Sequence, residues 1–219
     1  MKKIEACIFD LDGVIVDTAK YHFIAWRELA EELGFTFTEE DNERLKGVSR
    51  MQSLEILLEI GGKQFTESEK LAMAQKKNTR YVSYIENMTP EEILPGAREF
   101  LEELRSKGIK VALGSASKNS PMILEKIHLS GMFDAVVDGN SISEAKPNPE
   151  VFLRGAERLR LEPQHCVVFE DAIAGIQAAR NACMYCVGIG EPQTLGMADV
   201  VIPGFEGFTF EKLKHELGV

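Results

Sequence analysis

Asp10 and Asp12 stand two residues apart in Asp10-Leu11-Asp12-Gly13, at the end of the apolar run from Ile4 to Phe9. That run has the length and composition of a buried strand. Carboxylates at i and i+2 on an extended chain point to the same side, and Gly13 lets the backbone turn sharply after them. Two like charges so placed repel unless a cation lies between them or one acid keeps its proton. An exposed Asp-Gly turn is the plain alternative.

Three further sets bear on that choice. Gly114-Ser115-Ala116-Ser117-Lys118-Asn119 follows the apolar run Ile109 to Leu113 and leads into a helical pattern. Hydroxyls, backbone N–H groups and a helix N-terminus suit a phosphate, although Ser115 or Ser117 could equally be a helix cap. Lys146, set among Pro147 and Pro149, reads as a fixed point charge or as a solvated loop lysine. Glu170-Asp171 closes the run Cys166 to Phe169. With Asp10 and Asp12 it forms a hard oxygen set that suits Mg²⁺; alone, it could simply be acids at a helix start. Such sets at four successive strand ends argue for one site that handles phosphate and metal, because ligands of open α/β sheets collect at the carboxyl ends of strands.

The intervening elements must hold those ends together. Tyr21, Phe23, Ile24, Trp26, Leu29, Ala30 and Leu33 recur at helical spacing and stop before Gly34. Helical segments are expected over 39–45, 51–60 and 66–87, the last opened by a capping box at Thr66-Glu67-Ser68-Glu69. No strand candidate lies between Ile15 and Thr89. From Ile93 strands and helices alternate: helix to Lys107, strand 109–113, helix 119–129, strand 135–137, helix 149–159, strand 166–169, helix 172–182, strands 184–188 and 200–202, and helix 209–217. Repeated strand–helix units imply a doubly wound, Rossmann-like parallel α/β sheet. The expected organisation is a core of residues 1–14 and 93–219 with a helical cap inserted at 15–92, the two linkers acting as a hinge.

Composition narrows the function classes. With 25 Lys and Arg against 35 Asp and Glu, the net charge is −10, which argues against nucleic acid or an anionic membrane as partner. Four scattered cysteines make no disulfide framework. Cys7 and Cys166 read as buried thiols, and Cys183-Met-Tyr-Cys186, lacking a second Cys or His pair, as reduced core residues. With no long apolar run and a strand already at the N-terminus, a cytoplasmic protein is expected.

In order and spacing, Asp10-Leu-Asp12-Gly-Val, Ser115, Lys146-Pro and Glu170-Asp171 resemble the haloacid dehalogenase superfamily of phosphotransferases. Thr18-Ala-Lys-Tyr-His22 with Trp26, Leu45-Lys46-Gly47-Val48-Ser49-Arg50, Lys76-Lys77-Asn78 and the 115–119 loop are similar to the capped hexose phosphomutases of that family. The resemblance implies Asp10 as nucleophile and Asp12 as general acid and base. It implies one Mg²⁺ held by Asp10, Glu170, Asp171 and the backbone carbonyl of Asp12, with Ser115 and Lys146 on the transferring phosphoryl group. A second phosphate would lie on Arg50, Ser117, Lys118 and Asn119. Thr18, Gly47, Val48 and Lys77 would face the sugar, His22 would orient Asp12 or the cap, and Trp26 is either sugar platform or core. Positive potential is expected in the cleft from Lys46, Arg50, Lys76, Lys77, Arg80, Lys118 and Lys146. The implied reaction interconverts β-D-glucose 1-phosphate and β-D-glucose 6-phosphate through an aspartyl phosphate and β-glucose 1,6-bisphosphate, in a monomer. The alternative is a sugar-phosphate or phosphoglycolate-type phosphatase of the same family.

Overall fold

The computed structural model describes residues 3–219; Met1 and Lys2, part of the expected core stretch 1–14, lie outside it. Six parallel strands form one sheet in the order β3-β2-β1-β4-β5-β6. They are β1 (Ala6–Phe9), β2 (Lys110–Gly114), β3 (Ala135–Val137), β4 (Cys166–Glu170), β5 (Tyr185–Ile189) and β6 (Val200–Ile202). The direction in which strands are added reverses at β1, the position at which doubly wound sheets open a binding crevice.

Both faces of the sheet are buried, which is why its strands are continuously apolar. Alternation sorts β1 cleanly: Cys7 and Phe9 enter one core layer, Ala6 and Ile8 the other. On the first side Phe9 stacks on Phe169 with ring centroids 4.6 Å apart, and Phe100 meets both rings edge-on. These helices, α5 (Ala97–Ser106), α6 (Ser120–Lys126), α7 (Glu150–Leu159), α8 (Ile173–Asn181) and α10 (Phe210–Leu217), flank the sheet. The short α9 (Pro192–Leu195) was not apparent in the sequence. Helix α6 ends three residues before the expected Leu129 because His128 adopts φ +58 and the Leu129 N–H turns back to the Leu124 carbonyl, closing the helix end.

Between β1 and β2 the chain forms α1 (Ala19–Glu32), α2 (Glu39–Glu43), α3 (Arg50–Ile60) and α4 (Glu67–Ile85). Trp26, Leu29, Leu54, Leu57 and Ala74 give these helices an apolar cluster of their own. The Thr66–Glu69 capping box is present, and a second joins Thr38 and Asp41. The two connections to the sheet run antiparallel: Val16 bridges Ile93, and the Leu94 N–H donates to the Ile15 carbonyl at 2.9 Å.

All four cysteines are free thiols. Cys7, Cys166 and Cys186 are buried, but Cys183 is exposed. This corrects its assignment to the core: Cys183 takes φ +57 in the turn after α8, and a turn reversing the chain places its side chain outside.

Candidate active site

Register sets the floor of the site. Phe9 pairs with Leu113 on one side and Phe169 on the other, so the next residues of β1, β2 and β4 (Asp10, Gly114 and Glu170) emerge at one level. The Asp10 N–H donates to the Phe169 carbonyl at 3.0 Å, which locks the nucleophile candidate to β4. Asp10, Glu170 and Asp171 each offer an oxygen, and the three lie within 4.8 Å of one another. The chain makes room for them with glycine. A Cβ at Gly175 would collide with Glu170, and one at Gly13, where φ is +77, with Asp171.

Lys146, wholly buried, neutralises part of this charge: its Nζ donates to Asp10 Oδ1 at 2.5 Å and Glu170 Oε1 at 2.9 Å. Burial alone would lower the pKa of that ammonium, but Asp10 and Glu170 outweigh it and hold it above the ordinary lysine value. Burial, opposed by Lys146, raises Glu170 to about 7. Burial and then Glu170 push Asp171 well above the usual carboxylate range. Three acids that share a single lysine fit a divalent cation, and an all-oxygen donor set suits Mg²⁺. Among the described residues they form the metal-compatible cluster.

Asp12 is held differently. Its Oδ1 accepts the hydroxyl of Thr18 and lies 3.7 Å from His22 Nε2. Lys77 Nζ lies 2.8 Å from His22 Nδ1; a charged Lys77 has only donors, which would make Nδ1 the acceptor and put the ring proton on Nε2, toward Asp12. Burial, then Lys77 and Arg50, keep His22 well below its ordinary pKa and therefore neutral. Burial and the neighbouring Arg50 likewise lower Lys77. Burial and then Asp10 raise Asp12 to about 6, against the opposing Thr18 bond. An acid poised there can both give and take a proton near neutrality.

A cleft of about 410 Å³ opens above these groups. Asp10, Asp12, His22, Trp26, Gly47, Val48, Arg50, Lys77, Ser117, Lys118 and Asn119 all line it. Arg50 forms no hydrogen bond or ion pair with the described residues, although it begins α3 and its guanidinium is partly buried, which lowers its pKa. Trp26 is only 2% exposed and packs in the helical cluster, with Lys77 Nζ 4.6 Å from its ring centre.

Several expected placements change. Thr18, expected toward the sugar, is fully buried and committed to Asp12. Ser115 is also fully buried, and its Oγ accepts the Ser117 N–H at 3.1 Å. Lys76 and Arg80 do not add potential to the cleft: they lie on the outer side of α4, where Lys76 pairs with Glu32 at 2.8 Å and Arg80 with Glu28 and Glu32. Tyr81 was not among the expected site residues, yet it lies fully buried with His22 stacked on it at 4.0 Å. Its place four residues after Lys77 on one helix was the available signal. Asn42 and Ser53, buried polar residues at the cleft, were also missed.

Known proteins share this architecture. A family model described as haloacid dehalogenase-like hydrolase matches residues 4–182. A β-phosphoglucomutase of Bacillus subtilis is 42% identical over 215 residues, 97% of this chain and 95% of that protein. A crystal structure of β-phosphoglucomutase from Clostridium difficile superimposes with a TM-score of 0.94 at 44% identity, over 98% of this chain and 97% of its own. A phosphorylated carbohydrates phosphatase of Thermotoga maritima is 36% identical over 182 residues, 82% of each chain.

Proposed function

Because the chain belongs to the haloacid dehalogenase-like hydrolase family, we infer that it transfers phosphoryl groups through Asp10, and that the net reaction is isomerisation. It interconverts β-D-glucose 1-phosphate and β-D-glucose 6-phosphate, the reading supported by the full-length similarity to β-phosphoglucomutases. The phosphoryl group carried on Asp10, first supplied by the bisphosphate, passes to the 6-hydroxyl of β-D-glucose 1-phosphate; its bond to Asp10 breaks and Asp12 takes the hydroxyl proton, giving β-glucose 1,6-bisphosphate. The carboxylate of Asp10 then attacks the 1-phosphate of that bisphosphate, the bond from phosphorus to the C1 oxygen breaks, and Asp12 returns the proton to that oxygen, so that β-D-glucose 6-phosphate leaves and Asp10 is phosphorylated again. Thr18 and neutral His22 hold Asp12 for both steps. Mg²⁺, when bound by Asp10, Glu170, Asp171 and the Asp12 carbonyl, neutralises charge on the transferring group, which is most of what phosphoryl transfer requires. Lys146 holds Asp10 in place, and Ser115 orders the phosphate loop.

Residues 15–92 act as a cap that shuts water out and sets specificity, hinged on the paired strands at Val16 and Ile93. The protein works as a monomer, and its free thiols suit a cytoplasmic location. No described helix is long and apolar enough to cross a membrane.

One observation carries the mutase reading: Arg50, a guanidinium with no acid partner, in the same cleft as Asp10 and Asp12. Its planar fork matches a second phosphate, which an isomerisation through a bisphosphate needs and a monophosphate hydrolysis does not. Arg50→Ala is expected to lower isomerisation roughly 100-fold while leaving hydrolysis of a small phosphoryl donor nearly unchanged. Equal release of inorganic phosphate from the sugar monophosphate by variant and wild type, with no isomerisation by either, favours the second reading, a phosphatase for phosphorylated carbohydrates, which the similarity to the Thermotoga protein supports.

A further inference from the structure

We propose that Asn78 is a positioning residue through which the helical insert senses whether the distal phosphate is in place. The inference rests on the phosphomutase reading and deepens it. Asn78 lies on α4, half-buried at the cleft. Its Oδ1 accepts a hydrogen bond from Asn119 Nδ2 at 3.0 Å. Among the described residues no other side-chain hydrogen bond joins α1–α4 to the chain after Ile93.

Asn119 is anchored on its own side. Its N–H donates to Ser117 Oγ at 3.2 Å, and the Ser117 N–H donates to Ser115 Oγ at 3.1 Å. The carboxamide therefore projects from an ordered loop. Its nitrogen carries two hydrogens: one reaches Asn78, and the other has no partner among the described residues. A phosphate offers acceptors only, so a phosphate on that second hydrogen keeps the nitrogen turned toward the cleft and the first hydrogen on Asn78. One amide thus bridges the phosphate and α4.

The other end of the coupling is one residue away. Lys77, adjacent to Asn78 on the same helix, contacts His22, and His22 faces Asp12. Helix α4, residues Glu67–Ile85, thereby touches the distal phosphate loop through Asn78 and the proton-transfer acid through Lys77. Seating Asn78 seats both. With the distal phosphate absent, the Asn119 nitrogen is free to turn, that anchor weakens, and water competes with sugar for the phosphoryl group on Asp10. Attack by water on phosphorus breaks the bond to Asp10 and releases inorganic phosphate, with one water proton passing to Asp12.

The test compares wild-type protein and Asn78→Ala, full-length, with β-D-glucose 1-phosphate, Mg²⁺ and catalytic bisphosphate, reading 6-phosphate formed and inorganic phosphate released in one sample. Alanine favours helix, so α4 is retained, and the thermal midpoint checks this. Phosphate released per isomerisation and KM are each expected to rise about tenfold, with kcat for isomerisation moved far less. Hydrolysis of the phosphoenzyme without sugar should change less than about twofold, a split that general loosening of the helix would not produce. Unchanged partition and KM in a variant that still isomerises overturn the inference alone, as does a uniform fall of all rates with the thermal midpoint. Failure of the wild type to isomerise overturns the reading beneath it.

Discussion

Asp10→Asn is expected to abolish phosphoryl transfer, with a loss on the order of 10⁵-fold in turnover. The amide keeps the volume of the carboxylate but has no charged oxygen to attack phosphorus. The fold should survive, because Lys146 still has Glu170 at 2.9 Å and the Asp10 N–H still pairs with β4. Intact-protein mass spectrometry after incubation with the bisphosphate reads the outcome directly: phosphorylated wild type, unmodified variant. A variant that keeps activity within tenfold of wild type places the nucleophile elsewhere.

Lys146→Met should have the largest effect on stability. Lys146 is fully buried between Asp10 and Glu170, and its loss leaves acids facing one another without a cation. Breaking such a buried pair costs about 3–5 kcal/mol, or about 10 °C in the thermal midpoint for a chain of this size. The sign with pH follows from Glu170. Its pKa stands at about 7 in the metal-free fold, above the ordinary glutamate value of 4.5. A raised folded pKa contributes stability that is complete below the unfolded pKa and is lost as pH rises through the folded one. Wild-type metal-free protein should therefore lose stability as pH rises from 4.5 to about 7. Because Lys146 opposes the rise in the pKa of Glu170, the methionine variant should lose more and go on losing it to higher pH. Mg²⁺ should restore much of the loss in both. Thermal unfolding with chelator and with Mg²⁺, across that pH range, checks all three statements. A variant as stable as wild type in chelator at pH 8 contradicts the role given to Lys146.

The sheet and the strand-end chemistry were legible because each strand carries a local signal. Apolar runs ending in Asp10, Ser115 and Glu170 announce both a buried strand and a polar mouth, and parallel register then aligns those mouths without further information. What the sequence hid depends on orientation. Thr18 and Ser115 have hydroxyls suited to a substrate or to a neighbour, and only the folded loops show that Asp12 and the Ser117 N–H claim them. Lys76 and Lys77 are adjacent and chemically alike, yet a step of one residue turns the helix by a quarter. That sends Lys77 into the cleft and Lys76 out to Glu32. The unanticipated α9 is four residues long, too short to show a period. Cys183 sat in an apolar neighbourhood whose turn geometry composition does not encode.

These roles converge on one division of labour. In the proposed reaction Asp10 would take the phosphoryl group, Asp12 would move the proton, and Arg50 would hold the far phosphate so that sugar rather than water completes the turnover. Phosphorus NMR of the protein with β-D-glucose 1-phosphate, Mg²⁺ and catalytic β-glucose 1,6-bisphosphate tests that division most directly, because the two sugar phosphates and free phosphate give separate signals. Growth of the 6-phosphate signal with only a trace of inorganic phosphate is the predicted result. Inorganic phosphate appearing faster than the 6-phosphate would contradict it.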